Sequence, residues 1–505
     1  MDKYVKDILS AKVYDIAVET PLEQAPALSQ RLQNTVLLKR EDMQPVHSFK
    51  LRGAYNKMAG LSAEAAKKGV IAASAGNHAQ GVAMAGTRLG IRTIIVMPVT
   101  TPMIKINAVK ALGGKVVLEG VTYDEASDHA KSLVEKHGYT FVHAFDDPEV
   151  IAGQGTVGLE IVRQYSAKID VLFVPVGGGG LMAGIAAYVK YIRPEIKLVA
   201  VEAEDSACLA AALSANRRVT LPQVGLFADG VAVAQIGKEP FRVLRKLVDE
   251  VVTVTTDEIC AAVKDVFEDT RAMTEPAGAL AVAGMKKYVR EHSLTGNTLV
   301  SIVSGSNVNF DRLRHISERT ELGENREAVL AVTLDEKPGS FRRFARALGK
   351  RYITEFNYRY GDAGHAKIFV GVRLADSETG RDKLLDTLAR KGIDVVDMSD
   401  NEAAKLHIRY MVGGRNDAIN NERVYRFEFP ERPGAFSKFL DLLGGRWYIS
   451  MFHYRNHGAA YGRVLCGMQV PPKEVEQCEE FMKQIGYRCW DETNNEAYQA
   501  FLLAK

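Results

Sequence analysis

From about residue 35 to residue 310, short apolar runs alternate with longer segments whose apolar positions recur at helical spacing. Gly69-Val70-Ile71-Ala72-Ala73-Ser74 reads as a strand ending in a turn of small residues. Arg92 to Met97, Val171 to Val176, Lys197 to Val201 and Thr298 to Val303 read as buried strands, being apolar and rich in β-branched residues. Between them the spacing predicts helices over Asn77 to Leu89 and Leu181 to Arg193. Buried strands alternating with amphipathic helices imply a parallel, helix-covered α/β sheet. Sites in such sheets lie beyond the carboxyl ends of strands. The small-residue and glycine turns after Ser74, Val176 and Val303 fall there.

Near residue 320 the pattern changes and an internal repeat begins. Pro338-Gly339-Ser340-Phe341 recurs 95 residues later as Pro433-Gly434-Ala435-Phe436, and Phe356-Asn357-Tyr358-Arg359 recurs 96 residues later as Phe452-His453-Tyr454-Arg455. Each copy reads strand, helix, strand, strand, helix, strand, so the tail is a duplicated α+β module. The proline suits the first turn of the helix, where its missing N–H is not needed. Asp311 to Asn325 is charged and helical in pattern and reads as a connector. The repeat is open to two readings, a regulatory module or a support for assembly.

Composition narrows the class. A chain of 505 residues is too long for one core, and such a length predicts about three domains. A net charge of +3 points to no nucleic-acid or membrane partner. The five cysteines are odd in number and widely spaced, which favours reduced thiols. With no signal-peptide pattern at the start, the expected compartment is the cytoplasm.

Three segments carry chemistry. Ser48-Phe49-Lys50-Leu51-Arg52-Gly53 presents an amine that can condense with an aldehyde, although a lysine near a helix start is more often merely solvated. Phe49 can pack beside an aldehyde-bearing ring or in the core, and Arg52 reads as an ion-pair partner. Gly177-Gly178-Gly179-Gly180 follows a strand and opens a helix, which lets backbone N–H groups surround a phosphate dianion. The alternative there is a tight turn, or a dinucleotide site using Glu202. In Ser74-Ala75-Gly76-Asn77-His78, Asn77 can bond a ring oxygen and the N–H groups of Ser74, Ala75 and Gly76 can hold a carboxylate. Helix capping by Ser74 or Asn77 is the competing reading. Ser304 can face a pyridine nitrogen and leave it unprotonated, which suits expulsion of a β-leaving group. His78 is assigned no role.

These segments occur in the order and spacing of the fold type II pyridoxal phosphate enzymes. Pro45 to Gly53, Ser74 to Gly81, Met97-Pro98 with Thr101-Pro102 and Lys105, the glycine run and Glu275-Pro276-Ala277-Gly278-Ala279 all fit. With its tandem tail the chain resembles the bacterial biosynthetic threonine dehydratases, or threonine ammonia-lyases, over essentially its whole length. The resemblance implies two open α/β subdomains in residues 1–320, the smaller at about 46–140. ACT-like, ferredoxin-like regulatory modules follow at 321–414 and 415–505.

Position by position, the resemblance makes Lys50 the Schiff-base lysine and the catalytic base. Phe49, Asn77, Gly177, Gly178, Gly179, Gly180 and Ser304 would also contact pyridoxal 5'-phosphate. Ser74, Ala75, Gly76 and Asn77 would bind the substrate carboxylate. The implied reaction turns L-threonine into 2-oxobutanoate and ammonia, the committed step toward isoleucine. Inhibition by isoleucine, antagonism by valine and a homotetramer are implied as well. Effector residues stay unassigned, since Phe341, Phe436, Tyr358 and Tyr454 serve equally as core.

Two departures matter. Related serine racemases have a serine where this chain has Ala75, and an alanine has no proton to give to the opposite face of a substrate. Cys208 stands where their metal cluster would need an aspartate, so no divalent metal is expected. The competing readings are a serine dehydratase or another β-eliminating relative, and an amino-acid-sensing binding protein without catalysis. If the tail is regulatory, removing it after about residue 311 should leave activity that isoleucine no longer lowers.

Overall fold

The computed structural model describes residues 2–502 except 226, 311, 325, 336, 338, 361–363, 375–378, 407, 412–415, 417, 418, 431–434, 444, 445, 456–460 and 485. The chain divides into two compact units, Met1–Gly323 and Glu324–Lys505. In the first unit the strands are β1 (Leu22–Gln24), β2 (Thr35–Arg40), β3 (Val70–Ala73), β4 (Thr93–Met97), β5 (Lys115–Leu118), β6 (Thr140–Phe141), β7 (Val171–Pro175), β8 (Lys197–Ala203), β9 (Glu250–Val254) and β10 (Thr298–Val303). They form a six-stranded sheet in the order β1-β2-β10-β7-β8-β9 and a four-stranded sheet in the order β5-β4-β3-β6. Every pairing is parallel except β1 with β2.

The apolar runs became strands because both faces are covered. Val171 to Pro175 is buried throughout, as are Leu299 to Val303. The helix Asn77–Leu89 begins and ends where its pattern put it, closing on Gly90 at φ 67. In the larger sheet β8 and β9 lie on one side of β7, while β10 and β2 lie on the other. The strand order therefore reverses beside β7, and an open α/β sheet forms its crevice at such a point. The glycine turn leaves β7 there and Ser304 leaves β10.

The segment read as a connector is more than that. The helix Arg312–Gly323 packs on the helix Thr256–Thr270. Ile316 is buried in the same apolar cluster as Ile259 and Val263. Lys264 pairs with Glu321 at 2.9 Å, and the Thr320 hydroxyl lies 3.2 Å from the Cys260 carbonyl oxygen. Removing the tail at residue 311 would strip this helix from the first core, so the cut belongs after Gly323.

The second unit is one antiparallel sheet with helices. Its strands are β11 (Glu327–Asp335), β12 (Ile353–Arg359), β13 (His365–Arg373), β14 (Asp394–Asp397), β15 (Glu422–Pro430), β16 (Tyr448–Arg455), β17 (Tyr461–Gln469) and β18 (Arg488–Asp491). The order is β14-β11-β13-β12-β16-β17-β15-β18, with helices Ser340–Leu348 and Gly380–Arg390 in the first module and Ala435–Leu443 and Val475–Gln484 in the second. Both modules thus follow the strand, helix, strand, strand, helix, strand reading.

The repeated Phe-x-Tyr-Arg segment pairs with its own copy across the β12–β16 seam. Phe356 faces Tyr454, Asn357 faces His453 and Tyr358 faces Phe452. Equivalent residues meet about a local twofold axis, the self-complementary contact of a symmetric dimer. The Phe356 and Phe452 rings meet edge to face, 5.4 Å apart, and one apolar cluster runs through both modules. Each module also carries a short helix that the repeat pattern did not show, Glu402–Leu406 and Glu496–Phe501. Tyr498 packs on Val424 and Met451, the alternate positions to the helix-covered core.

The helix of the first module starts at Ser340 behind an N-cap at Gly339 with φ 87. Pro338, Pro433, Gly434 and the Phe436 side chain lie outside the described residues, so the proline reading is not addressed. All five cysteines are free. Among the described residues no helix is long and apolar enough to cross a membrane. Because Phe356 is fully buried at the seam, Phe356→Ala should cost about 3–5 kcal/mol. Chemical denaturation of the full chain, followed by a signal confined to the second unit, measures it.

Candidate active site

Lys50 opens the helix Lys50–Ala59 at the end of the loop that follows β2. A small bridge holds that loop to the loop after β10: Ser48 pairs with Gly305, and the Ser306 N–H donates to the His47 carbonyl at 2.9 Å. His47 takes φ 56, the left-handed turn that lets the chain double back. Lys50 is half-buried. Its ammonium donates to the Ala144 carbonyl at 3.3 Å, with Nζ 5.3 Å from the centre of the Phe49 ring. Burial pushes the amine down to about 8, against the opposing pull of Glu275. At pH 7 about a tenth of such an amine is neutral, far more than of an ordinary lysine at about 10.4, and the neutral form is the nucleophile. Phe49 itself packs against the core of the larger sheet.

Ala144 links the lysine to the glycine turn through the next residue. A Cβ on Gly178 would lie 2.2 Å from the Phe145 ring, and one on Gly180 2.9 Å from Phe145 Cα. A Cβ on Gly177 would lie 2.9 Å from Val231 Cα. Gly179 caps the helix Gly180–Ile192 at φ 88. The turn leaves no room for side chains, and the first N–H groups of that helix have no partner within it. Backbone donors at a helix N-terminus, a glycine cap and a partly neutral amine fit a phosphate-bearing aldehyde.

Asn77 and Glu275 come together from the two sheets. Asn77 Nδ2 donates to Glu275 Oε1 at 2.6 Å, and Asn307 Nδ2 donates to Asn77 Oδ1 at 2.6 Å. Asn307 is in turn held by the Val46 carbonyl at 2.9 Å, just before the lysine loop. Burial pushes the Glu275 carboxyl up to about 7, partly offset by the Asn77 bond. Sequence reasoning missed Glu275 and Asn307 as members of this chain of bonds. Glu275 lies in a segment that fits the family order, but only spatial contact reveals the two residues as partners.

The remaining predicted residues fall as follows. Ser304 is buried after β10, and its hydroxyl donates to the Ala277 carbonyl at 3.2 Å. Ser74, Ala75 and Gly76 form the turn between β3 and the helix Asn77–Leu89. The Ser74 N–H is held by the Val96 carbonyl at 3.1 Å as the sheet continues. The N–H of Ser74 is therefore not a carboxylate donor, a correction to the expectation. Its hydroxyl accepts the Gly76 N–H at 3.2 Å. Neither Ser74 nor Asn77 caps the helix, because the N-cap is Gly76 without a side-chain bond.

His78 is a core residue. Its Nε2 lies 2.8 Å from the Val142 carbonyl, and burial holds the ring well down, at about 3. Glu202 is likewise committed, accepting the N–H groups of Leu209 and Ala210 at 2.8 Å each. That carboxylate is not free to meet a ribose, which removes the dinucleotide reading. Arg52 is an ion-pair residue, fully buried between Glu41 and Glu160.

The model of the family described as "Pyridoxal-phosphate dependent enzyme" matches residues 13–305. That of the "C-terminal regulatory domain of Threonine dehydratase" matches 318–408 and 413–502. The chain is 55% identical to the biosynthetic L-threonine dehydratase of Escherichia coli (strain K12), over 99% of this chain and 97% of that protein. It is 50% identical to the chloroplastic biosynthetic threonine dehydratase of Arabidopsis thaliana, over 96% of this chain and 82% of that one. Among solved structures it is similar to the processed threonine deaminase isoform 2 of Solanum lycopersicum, at 50% identity and a TM-score of 0.63, covering 64% of this chain and 88% of that chain. It also resembles the serine racemase of Dictyostelium discoideum, at 30% identity and a TM-score of 0.57, covering 61% of this chain and 99% of that chain.

Two measurements check this geometry. Site-resolved reductive alkylation by a small aldehyde should modify Lys50 with a midpoint near pH 8, against about 10.4 for ordinary lysines. A Cβ at Gly178 collides with the Phe145 ring, so Gly178→Ala should weaken binding of a phosphate-bearing aldehyde at least about tenfold, the cost of roughly 1.4 kcal/mol. Titration followed by absorbance reads that change.

Proposed function

The chain belongs to the pyridoxal-phosphate dependent enzymes that carry the C-terminal regulatory domain of threonine dehydratase, and from that membership we propose that it deaminates L-threonine. The products are 2-oxobutanoate and ammonia, and the step commits threonine to isoleucine. The observation that carries this reading is the half-buried Lys50 amine, pushed down to about 8 by burial and held at the Ala144 carbonyl beside the residue that packs on the glycine turn.

Lys50, Phe49, Asn77, Gly177 to Gly180 and Ser304 are the residues that would hold pyridoxal 5'-phosphate, at its aldehyde, ring face, ring hydroxyl, phosphate and ring nitrogen respectively. When bound, the cofactor supplies an electrophilic carbon for the substrate amine and a sink for the electrons left at Cα. The chain's own residues do the rest. The turn Ser74 to Asn77 receives the substrate carboxylate through the Ser74 hydroxyl and the N–H groups of Ala75 and Asn77, with Gly76 shaping the turn by donating its N–H to the Ser74 hydroxyl. Lys50, as a free amine, takes the Cα proton, a task for which a pKa near the working pH is favourable. Ala75 returns no proton from the other face, so the substrate goes on to lose its β-hydroxyl rather than invert. Glu275 and Asn307 keep the Asn77 amide in one orientation.

The likeness to a serine racemase supports giving weight to Ala75, since the same architecture hosts a different outcome in a relative. Residues 1–320 are the proposed catalytic part, with its smaller subdomain at about 46–140. The modules at 321–414 and 415–505 are the proposed sensors of isoleucine, which inhibits, and valine, which opposes it. A homotetramer in the cytoplasm completes the reading. Two copies fused through one seam give paired, equivalent surfaces, which supports amino-acid sensing by the tail.

The holoenzyme should form a keto acid from threonine faster than from serine, and isoleucine should lower the rate. Lys50→Ala should abolish turnover while leaving isoleucine binding intact. A chain ending at Gly323 should turn over threonine without responding to isoleucine. No keto acid from either amino acid, with isoleucine still bound, would favour the sensing protein without catalysis.

A further inference from the structure

A charged crossing that the mechanism does not use spans the cleft between the two sheets. Lys105 lies in the first turn of the helix Met103–Ala111, beside the smaller sheet, and Asp229 opens the short turn Asp229–Val231 on the larger sheet's side. Lys105 Nζ and Asp229 Oδ2 are 2.5 Å apart. A cation in the first turn of a helix is disfavoured by the helix dipole, and this turn holds no acidic residue of its own. Asp229 supplies the missing negative charge from across the cleft.

The residues after Asp229 line the site. A Cβ on Gly230 would lie 3.6 Å from Glu275 Oε1 and 3.8 Å from Asn77 Nδ2, and Val231 is the residue that blocks a side chain at Gly177. Both charges of the crossing act at Glu275, where Asp229 raises the carboxyl and Lys105 lowers it. The same carboxylate has a second suitor. Asp229 Oδ1 lies 3.7 Å from Nη1 of Arg312, which donates to the Phe227 carbonyl at 2.8 Å. The Phe227 ring sits 5.4 Å from the His315 ring. Arg312 and His315 belong to the helix Arg312–Gly323, through which the chain passes into the second unit.

We propose that Asp229 is a latch across the substrate cleft, shared between Lys105 and Arg312, so that the helix leading to the regulatory unit governs how tightly the cleft closes on substrate. The proposal rests on the threonine deaminase reading. In the structure the carboxylate meets both cations, Lys105 closely through Oδ2 and Arg312 more loosely through Oδ1; a shift of balance between them supplies the pair of states that coupling requires. With Lys105 engaged, the turn 229–231 is drawn over the site. With Arg312 engaged, it is drawn toward the helix.

The test uses the full-length holoenzyme. Lys105→Met and Asp229→Asn should each raise the KM for threonine about two- to fivefold with a smaller change in kcat, the size a partly exposed ion pair supports. The double variant should be no worse than either single one, and exchanging the charges (Lys105→Asp with Asp229→Lys) should recover part of the loss. Arg312→Gln should move the isoleucine concentration for half-inhibition by roughly threefold or more, a free-energy change within the range of ordinary coupling. Additive single effects, or an unchanged isoleucine response in Arg312→Gln, would overturn the latch. Hydrogen exchange separates this from failure of the functional reading. In Asp229→Asn, segments 103–106 and 227–231 should lose protection together whether or not the protein acts on threonine, and loss in one segment alone also refutes the proposal.

Discussion

Arg52, two residues beyond Lys50, ties together the elements from which the proposed site is built. Its guanidinium is fully buried and forks onto Glu41 at 2.7 and 2.8 Å, with Glu160 at 2.5 Å on the other side. Lys39 completes the group by reaching Glu160 at 2.6 Å and the Thr20 carbonyl at 2.7 Å. Two cations and two carboxylates, all out of water, balance to zero. Each ion pays several kcal/mol to leave water, and removing one partner from such a group typically costs about 3–5 kcal/mol. The cluster is therefore stable only when complete. It joins β2, the loop after it, the lysine-bearing helix and the helix Pro148–Gln164 into one body.

That rigidity has a consequence for the lysine. Glycines let the two helices approach beside the cluster, since a Cβ on Gly153 would lie 2.7 Å from Gly53 Cα. The Lys50 side chain is carried on this braced helix and, among the described residues, its Nζ meets the Ala144 carbonyl and no carboxylate. Burial without a paired anion favours the neutral amine. The same short segment thus contains one cation paired with two carboxylates, Arg52, and one held at a neutral carbonyl, Lys50. A productive site needs its groups held to within about half an ångström, and the paired cation provides the frame.

The regulatory unit follows a different logic. Its two modules share one apolar core through a seam made from a duplicated strand, so neither copy needs to bury its exposed edge elsewhere. Arg359 of the first module crosses to Glu422 of the second at 2.6 Å and reaches the Leu502 carbonyl at 2.9 Å. Tyr498 donates to the same Glu422 at 2.6 Å. The modules are therefore linked by buried polar contacts as well as by the apolar seam. A change in one module has a physical route to the other.

Much of this was legible from the chain. Runs such as Thr298 to Val303 had one suitable environment, a sheet covered on both faces, and the helix Asn77–Leu89 carried its own period and its own closing glycine. The lysine, the glycine turn and the module order were readable because each is a local pattern of residue types. Other features depend on pairs distant in sequence. Glu275 and Asn307 carry no local sign of the contact each makes with Asn77, which reaches them from a distant part of the chain. By residue type the Ser74 N–H suits a substrate carboxylate, but the Val96 carbonyl holds it. The helix Arg312–Gly323 looked like a solvated connector because its charges suggested no core, yet Ile316 is buried. The sequence by itself determined which segments form strands and helices and which side chains bring chemistry, since propensity and period act over a few residues. Only the tertiary structure decided which polar groups are already engaged and which remain free to act, because desolvation and pairing are set by neighbours brought in from elsewhere in the chain.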